Sequence, residues 1–356
     1  MEIFKRLEEH NYEELIMCHD KASGLKAIIC IHDTTLGPGV GGTRMWNYPT
    51  EEEALTDVLR LARGMTYKNA VAGLNAGGCK GVIIADPKKD KSEALFRAYG
   101  RFVQSLNGRF NTGEDVGISL ADLEYVNMET DFIVGRESTS GDPGPVTGFG
   151  VFRGIEACAQ EVWGSEVLSD KTVAVQGLGH VGYALCEYLH EKGAKLIVAD
   201  INEKMVQQAI DKFGAEAVKP EEIYGVQCDI FAPCALGAVI NDVTIPQLKC
   251  KIIAGSANNQ MKEARHGEIV HEKGILYAPD YVINAGGVIN VYQDICEGDY
   301  KRTQTLQQIS RIYDSIEKVI AISKRDNIST YKAADIMAEE RIQSIRNINR
   351  IVGRRQ

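Results

Sequence analysis

The sequence predicts an α/β protein of two domains, the second of them built on a parallel sheet. Three observations lead there. The chain has 356 residues, too many for one small core and suited to two domains of ~150 residues each. From residue 172 onward, short wholly apolar segments alternate with helical patterns, as they do where crossover helices bury a parallel sheet on both faces. Between the first such segment and its helix stands a glycine fingerprint, Gly177-Leu178-Gly179-His180-Val181-Gly182.

Composition removes several classes. A formal net charge of −9 repels phosphate backbones and anionic lipid, so neither nucleic acid nor a membrane is an expected partner. No apolar run reaches the ~18 residues of a membrane span, and Met1-Glu2-Ile3-Phe4-Lys5 does not open a signal peptide. Nine cysteines lie scattered without a CxxC pair, and His266 and His271, five apart, do not share a helix face. That argues against a disulfide framework and against a metal site, and for a reducing, cytoplasmic setting.

Taken in order, residues 25–31 are β-branched and apolar between Gly24 and His32-Asp33 and predict a strand. Thr50 with Glu53 three residues on forms a capping-box pattern, and Ala54, Leu55, Val58, Leu59 and Ala62 follow at helical spacing. Residues 81–85 predict a second strand, closed by Asp86-Pro87, and Ser92 opens a helix carrying Leu95, Phe96, Tyr99, Phe102 and Val103. The glycine- and proline-rich stretch 136–150 reads as a hinge. Strands are then expected at 172–176, 195–199, 229–232, 251–254 and 281–283. Two long amphipathic helices end the chain, one lined by Leu306, Ile309, Ile312, Ile316, Val319 and Ile320, the other by Ala333, Ile336, Ala338, Ile342 and Ile345. The domains so read are 1–135, 136–325 and a C-terminal helix, 326–356, returning to the first.

The fingerprint is weak alone but strong in context. A strand precedes it, a helix follows, and the next strand ends at Asp200, 23 residues after Gly177, the place from which a carboxylate meets an adenosine ribose. Gly177 permits the tight turn, Gly179 the approach of a pyrophosphate, and Gly182 close packing of helix on strand. The helix amino end supplies N–H groups and a positive dipole to the phosphates. Asp200 repels a 2′-phosphate and no arginine follows it directly, so NAD is expected over NADP. The second domain is therefore read as a Rossmann fold, which by itself names no reaction.

Chemistry must come from the first half. Glycines cluster at 37–42, ahead of Thr43-Arg44, and at Gly77-Gly78-Cys79-Lys80-Gly81, and Asp115 sits in TGEDVG. A single lysine is most often a solvated surface charge; glycines around it allow a ligand to come close. Those residues alone leave a catalytic and a structural reading level.

At this point the chain resembles a known family, the Glu/Leu/Phe/Val amino-acid dehydrogenases, and within it most closely the leucine-specific branch. The matching stretches include IHDTTLGP (31–38), GGTRMW (41–46), RLARGMTYKNA (60–70), GGCKGVII (77–84), EDVG (114–117), PVT (145–147), CDIFAPCALGA (228–238), AGSANNQ (254–260) and YAPDYVINAGGVINV (277–291). They span nearly the whole chain.

The resemblance implies reversible oxidative deamination of an L-amino acid to a 2-oxo acid and ammonia, in a cleft between the domains that closes on substrate. It makes Lys80 the catalytic lysine, Asp115 its partner in proton transfer and Lys68 the cation for the substrate carboxylate. Gly41, Gly77 and Gly78 line the substrate, and Thr147, Cys234, Ala235, Ala257 and Asn258 join the fingerprint in holding NAD, Thr147 and Asn258 at the nicotinamide end. It also implies a homo-oligomer, octamer or dimer, with the basic tail (Arg350, Arg354, Arg355) shorter than in some relatives. A lysine serves as general base only when its ~10.4 pKa is pulled toward neutrality, by burial or by a neighbouring cation, for which Lys68 is the candidate.

Specificity follows from what is missing. Glutamate-specific relatives carry a lysine where this chain has Val40 and a serine where it has Val291. An anionic side chain would there be buried unpaired, at a cost of several kcal/mol. Val40, Val288 and Val291 predict an aliphatic pocket, leucine and other branched-chain amino acids first. Ala76 and Gly113 stand where larger residues are usual, and Cys79 and Gly81 where the leucine branch has glycine and threonine. Each missing methylene is worth ~0.8 kcal/mol of apolar contact, so a phenylalanine or broad bulky range is the second reading and neutral repacking its rival. A non-catalytic NAD or amino-acid sensor is the third, disfavoured because Lys68, Lys80 and Asp115 are all present.

Overall fold

The computed structural model describes residues 2–135, 140–296 and 300–349. Four residues of the expected hinge (136–139) and the tail arginines Arg350, Arg354 and Arg355 lie outside them. The chain divides into two compact units: Met1–Gly141 with Val291–Tyr300 and Ala338–Gln356, and Asp142–Asn290 with Lys301–Met337.

The first unit runs α1 (Ile3–Glu9), β1 (Glu14–Asp20), β2 (Leu25–Asp33), β3 (Gly39–Val40), β4 (Thr43–Trp46), α2 (Glu51–Val71), β5 (Gly77–Ile84), α3 (Glu93–Ser105), β6 (Phe110–Asn111) and α4 (Leu120–Asn127). Its sheet has the order β1-β2-β5-β3-β6, with β4 also paired to β5. β1 and β2 run antiparallel to their neighbours, whereas β3 and β4 run parallel to β5. One face is covered by α2 through Ala54, Leu55, Val58 and Leu59 against Ile28, Cys30 and Val82. The other is covered by α3 and α4 around Phe96, Tyr99, Leu123 and Val126. Thr50 caps α2 by accepting from the Glu53 amide; the Glu53 carboxylate meets the Thr50 hydroxyl, so only half of the reciprocal pattern forms.

β5 begins four residues before the strand that the sequence predicted. Gly77 and Gly78 lie outside the expected strand, but here they belong to it, and other backbone presses on them. A Cβ on Gly78 would stand 2.1 Å from the Thr66 nitrogen of α2, and one on Gly77 would stand 2.2 Å from the Asp33 carbonyl oxygen. The strand thereby carries Lys80 inside the sheet.

The second unit holds α5 (Gly144–Trp163), β7 (Thr172–Gln176), α6 (His180–Glu191), β8 (Lys195–Ala199), α7 (Glu203–Phe213), β9 (Glu216–Ala217), β10 (Ile230–Pro233), β11 (Ile252–Ile253), α8 (Arg265–Glu272), β12 (Leu276–Tyr277) and α9 (Asp280–Ile283). Its sheet, β12-β11-β10-β7-β8-β9, is parallel throughout. Residues 144–150 of the glycine-rich stretch open α5. Pro145 sits in its first turn, where a missing N–H costs nothing, and Gly148 and Gly150 admit Ala184 and Ile312.

Two expectations are corrected. Residues 281–283 are not a strand: they form α9, which starts directly after Pro279, and the sheet ends instead at β12. Three apolar residues cannot tell a strand from a helical turn; here Ile283 is drawn into the space left by Gly154 on α5. The first C-terminal helix is also two. After α10 (Gly286–Tyr292), α11 (Arg302–Ser310) and α12 (Ile312–Asp326) break at Arg311, and α13 (Thr330–Asn349) follows.

Within the first unit, the later part of α13 clamps the end of α2. The Arg341 guanidinium donates to the Ala70 carbonyl (2.9 Å) and to the Asn75 side chain (3.2 Å), and the Tyr67 hydroxyl donates to Glu339 (2.6 Å). A cation on the last carbonyls of a helix also suits its dipole.

Candidate active site

Lys80 lies mid-strand in β5 and is only 4% exposed. Asp115 comes to it because the loop after β6 is laid along β4. The Thr43 amide donates to the Gly113 carbonyl and the Met45 amide to that of Val116, each at 2.9 Å. Gly42 allows the approach, since a Cβ there would lie 2.1 Å from the Glu114 carbonyl oxygen. The Asn69 amide of α2 ties the helix to the Gly77 carbonyl (2.6 Å). Lys68 precedes it on the last turn of α2, half-buried.

The result is a chain of alternating charges. Lys80 Nζ is 3.0 Å from Asp115 Oδ1. Arg44 Nε donates to Asp115 Oδ2 (2.7 Å) and Arg44 Nη1 to Asp57 Oδ2 (2.9 Å). Asp57 is in turn held by the Tyr48 hydroxyl (2.7 Å) and by Arg60 (2.9 Å). Burial pushes the Lys80 ammonium below the usual lysine range; Asp115 opposes this and Arg44 adds to it. Burial pushes Asp115 up, but Lys80 and Arg44 outweigh it and hold the carboxyl below its ordinary value. Among neighbouring cations Arg44 acts most strongly on Lys80, where the sequence had pointed to Lys68.

Burial and Arg44 make the Lys80 ammonium easier to deprotonate, with an anionic carboxylate held beside it, and a lysine moved toward neutrality is what general base work requires. Arg44 and Asp57 were missed as site residues. Arg44 stands in the GGTRMW stretch, but no spacing rule says which carboxylate an arginine will meet across a sheet.

Of the other substrate-side residues, all but Val288 belong to the first unit. Gly41, Gly77 and Gly78 are buried, with backbone or side-chain atoms where a Cβ would go. Val40 is 1% exposed on β3. Val291 is half-buried and lies 3.4 Å from where a Cβ of Gly135 would be. Val288 is buried on α10 in the second unit.

Gly113 departs from expectation. A Cβ there would meet the Val134 carbonyl oxygen at 2.9 Å and Val134 Cγ2 at 3.2 Å, so Val134 already occupies the space that a larger residue would take, and the glycine opens no room for substrate. Gly81 behaves likewise: the Tyr99 hydroxyl would lie 2.1 Å from its Cβ. That hydroxyl forms a buried run with Thr43 (2.6 Å), which also bonds Thr112 (2.7 Å). Both substitutions are repackings.

In the second unit the three fingerprint glycines divide their labour. Gly177 has φ +98° and touches Ala235, Gly182 packs on the Gly177 carbonyl (2.0 Å from its would-be Cβ), and Gly179 faces open space. Asp200 accepts from the Leu178 amide (2.5 Å) with one oxygen and from the Asn202 amide (2.7 Å) with the other. Beside them opens a groove of about 520 Å³ lined by Leu178, Gly179, His180, Tyr183, Asp200 and Met205, among others. Its acidic lining is Asp142, Glu187 and Asp200, beside His180, and among the described residues no lysine or arginine lines it.

Val181 is half-buried in the first turn of α6. Cys234 follows β10, its amide bonded to the Gln176 carbonyl (2.7 Å), and the Ala257 amide bonds that of Pro233 (2.9 Å). Gln260 braces the 255–257 loop through the carbonyls of Gly255 and Ala257. The Asn258 side chain accepts from Asn284 (2.7 Å), a partner the sequence did not single out, and the Thr147 hydroxyl donates to the Pro143 carbonyl (2.7 Å). An open glycine turn at a helix amino end, with a carboxylate beside it, fits a dinucleotide.

Comparison with known proteins agrees with this geometry. The model of the Glu/Leu/Phe/Val dehydrogenase dimerisation domain matches residues 12–132, and that of Glutamate/Leucine/Phenylalanine/Valine dehydrogenase matches 141–207 and 196–349. The leucine dehydrogenase of Geobacillus stearothermophilus is 63% identical over 349 residues, covering 97% of this chain and 95% of that protein. The phenylalanine dehydrogenase of Lysinibacillus sphaericus is 47% identical over 361 residues, 99% and 94% of the two. The crystal structure of L-tryptophan dehydrogenase from Nostoc punctiforme superposes with a TM-score of 0.88 at 47% identity, covering 97% of this chain and 99% of that one.

Proposed function

The chain belongs to the Glu/Leu/Phe/Val dehydrogenase family, and from that premise we propose that it catalyses the NAD-dependent reversible oxidative deamination of L-leucine and other branched-chain amino acids. The balanced reaction takes the amino acid, NAD⁺ and water to the 2-oxo acid, ammonium, NADH and a proton. The nicotinamide cofactor supplies the hydride acceptor when bound. Gly177, Leu178, Gly179, His180, Val181, Gly182 and Asp200 would hold its adenosine and phosphates, and Thr147, Cys234, Ala235, Ala257 and Asn258 the remainder.

The residues of the chain do the rest. Lys68 binds the substrate carboxylate beside the bare backbone of Gly41, Gly77 and Gly78. Lys80, made easier to deprotonate by burial and by Arg44, takes the proton from the attacking water at Nζ. Asp115 passes a proton to the departing ammonia through the oxygen that faces Lys80. The observation that carries this reading is the buried Lys80–Asp115 pair on a glycine-walled strand. Preference for leucine over aromatic substrates is supported by the greater identity to leucine dehydrogenase and by Val134, which fills the space beside Gly113.

The test is NADH formation at alkaline pH with leucine, valine, isoleucine, phenylalanine, tryptophan and glutamate in turn. Branched-chain substrates should lead and glutamate should fall at least ~100-fold behind, the weight of an unpaired buried carboxylate. Phenylalanine or tryptophan in the lead would overturn the aliphatic assignment.

A groove lined by Asp200, Asp142 and Glu187, with no lysine or arginine among the described residues, supports NAD over NADP. Asp200→Asn should raise the NADP-to-NAD ratio of kcat/KM by about tenfold, the ~1.4 kcal/mol of one lost charge repulsion. An unchanged ratio would remove Asp200 from that role. A homo-oligomer, dimer or octamer, working in the cytoplasm completes the proposal. It is supported by the match to a dimerisation domain and by nine cysteines, all free. Among the described residues no helix is long and apolar enough to cross a membrane.

A further inference from the structure

We infer that Arg44 is a positioning residue for this reaction: bridging Asp57 and Asp115, it takes up the charge of Asp115 so that Lys80 is free to give up its proton. The inference rests on the deamination reading above and concerns a residue to which neither the fingerprint nor the lysine motif points.

The geometry divides Asp115 between two cations. Oδ1 faces Lys80 Nζ at 3.0 Å and Oδ2 accepts from Arg44 Nε at 2.7 Å. An aspartate paired with Lys80 alone would hold the ammonium charged, the wrong state for a general base. A guanidinium does not deprotonate in proteins, so Arg44 brings a positive charge that stays constant at every working pH. Part of that charge is answered elsewhere: Arg44 Nη1 bonds Asp57 at 2.9 Å, and Asp57 also accepts from Tyr48 and Arg60. Burial pushes the Asp57 carboxyl up, but Tyr48, Arg60 and Arg44 pull it below its usual range, so it remains an anion.

The strength of Arg44 on the Lys80–Asp115 pair is thus set by Asp57, on a different element. The groups bearing on Lys80 are Asp115 from the loop after β6, Arg44 from β4 and Asp57 from α2. Lys68 is also carried by α2, and Cys30 stands opposite on β2 with its thiol kept protonated by burial.

The two substitutions act in opposite directions. Arg44→Gln returns the full charge of Asp115 to Lys80 and moves the acid limb of kcat/KM for leucine upward by about one pH unit. Asp57→Asn leaves Arg44 less compensated and moves the limb downward. Arg44→Lys keeps the charge and stays near the parent. That limb reports the pair rather than either member, so a second readout is taken on the same proteins without turnover. It is the pH midpoint of Lys80 acetylation by trace acetic anhydride, followed by mass spectrometry.

Opposed shifts of Arg44→Gln and Asp57→Asn in both readouts are expected. A purely structural Arg44, pinning β4 to α2, would lower Tm and kcat with both midpoints unmoved, and that result overturns the inference. Shifts in the same direction overturn it as well. If Arg44→Gln does not fold, the downward shift in Asp57→Asn and the parental midpoint of Arg44→Lys still decide. If the unsubstituted protein oxidises no amino acid, the deamination reading has failed, and the labelling midpoints judge Arg44 separately.

Discussion

Lys80→Gln lowers kcat for leucine deamination by about 10²–10⁴-fold, the usual contribution of a positioned general base, while NADH binding measured by fluorescence titration stays within a few-fold. The substitution shortens the side chain by one atom and keeps a polar N–H donor, but removes the group that can accept a proton. Lys80 is only 4% exposed and sits inside a strand whose register with β2 and β4 is set by backbone hydrogen bonds, so solvent cannot easily replace it. Because burial lowers the Lys80 pKa, the neutral base is available below the ordinary ~10.4 of lysine. The parent's deamination rate therefore rises with pH along a limb centred below that value, and in Lys80→Gln this limb disappears. Activity within tenfold of the parent would remove Lys80 from the chemistry.

Gly78→Ala is expected to destabilise the first unit by roughly 3 kcal/mol, at the upper end of overpacking. In a domain of this size that lowers Tm by about 6–12 °C. The Cβ of the alanine would stand 2.1 Å from both the nitrogen and the hydroxyl of Thr66, and 2.5 Å from the Thr66 Cα. Two of those three atoms are backbone, so no rotamer relieves the clash and α2 must move off β5. Lys68 travels with the helix, so KM for leucine rises along with the loss of stability. Gly64→Ala, on the same helix with open space around its Cβ, serves as the control and is neutral or slightly stabilising. Equal melting of Gly78→Ala and the parent would show that the helix and strand are not in contact at this point.

Much of the fold could be read from periodicity. The segments Thr172–Gln176 and Lys195–Ala199, with apolar runs at 173–175 and 196–199, are strands in the parallel sheet, because the middle of a strand buried on both faces is apolar at successive positions. The caps at Thr50 and Ser92 mark the starts of α2 and α3, because a side-chain oxygen on an otherwise unpaired amide is a local interaction. Local signals failed where the deciding contact was distant in sequence. Residues 281–283 have strand-like composition but turn into α9, where Ile283 meets Gly154 more than a hundred residues away. The break at Arg311 leaves no mark in the apolar pattern, which continues from Ile309 to Ile312.

For the site the division is similar. The fingerprint was legible because it is a short motif with a reason for its spacing, and the lysines through the resemblance that their glycine-rich stretches carry. The carboxylate that each cation meets was not. Asp115 reaches Lys80 only because β4 carries the loop 113–116 along its edge, and Arg44 joins them from a strand whose sequence gives no hint of its partners. The carbon absent at Gly113 suggested a wider pocket until Val134 was found in that space. By itself, then, the sequence determined the α/β class and the dinucleotide fingerprint, while the roles of Lys80 and Asp115 and the missing partner for an acidic substrate side chain were implied by the family resemblance that its short motifs carry. Those are properties of residue identity and of neighbours a few positions apart. Only the tertiary structure decided which charges act on Lys80, that Arg44 and Asp57 belong to its surroundings, and that the missing carbon at Gly113 is filled. Electrostatic and packing energies depend on distances through space, and in a folded chain those are set by residues far apart in sequence.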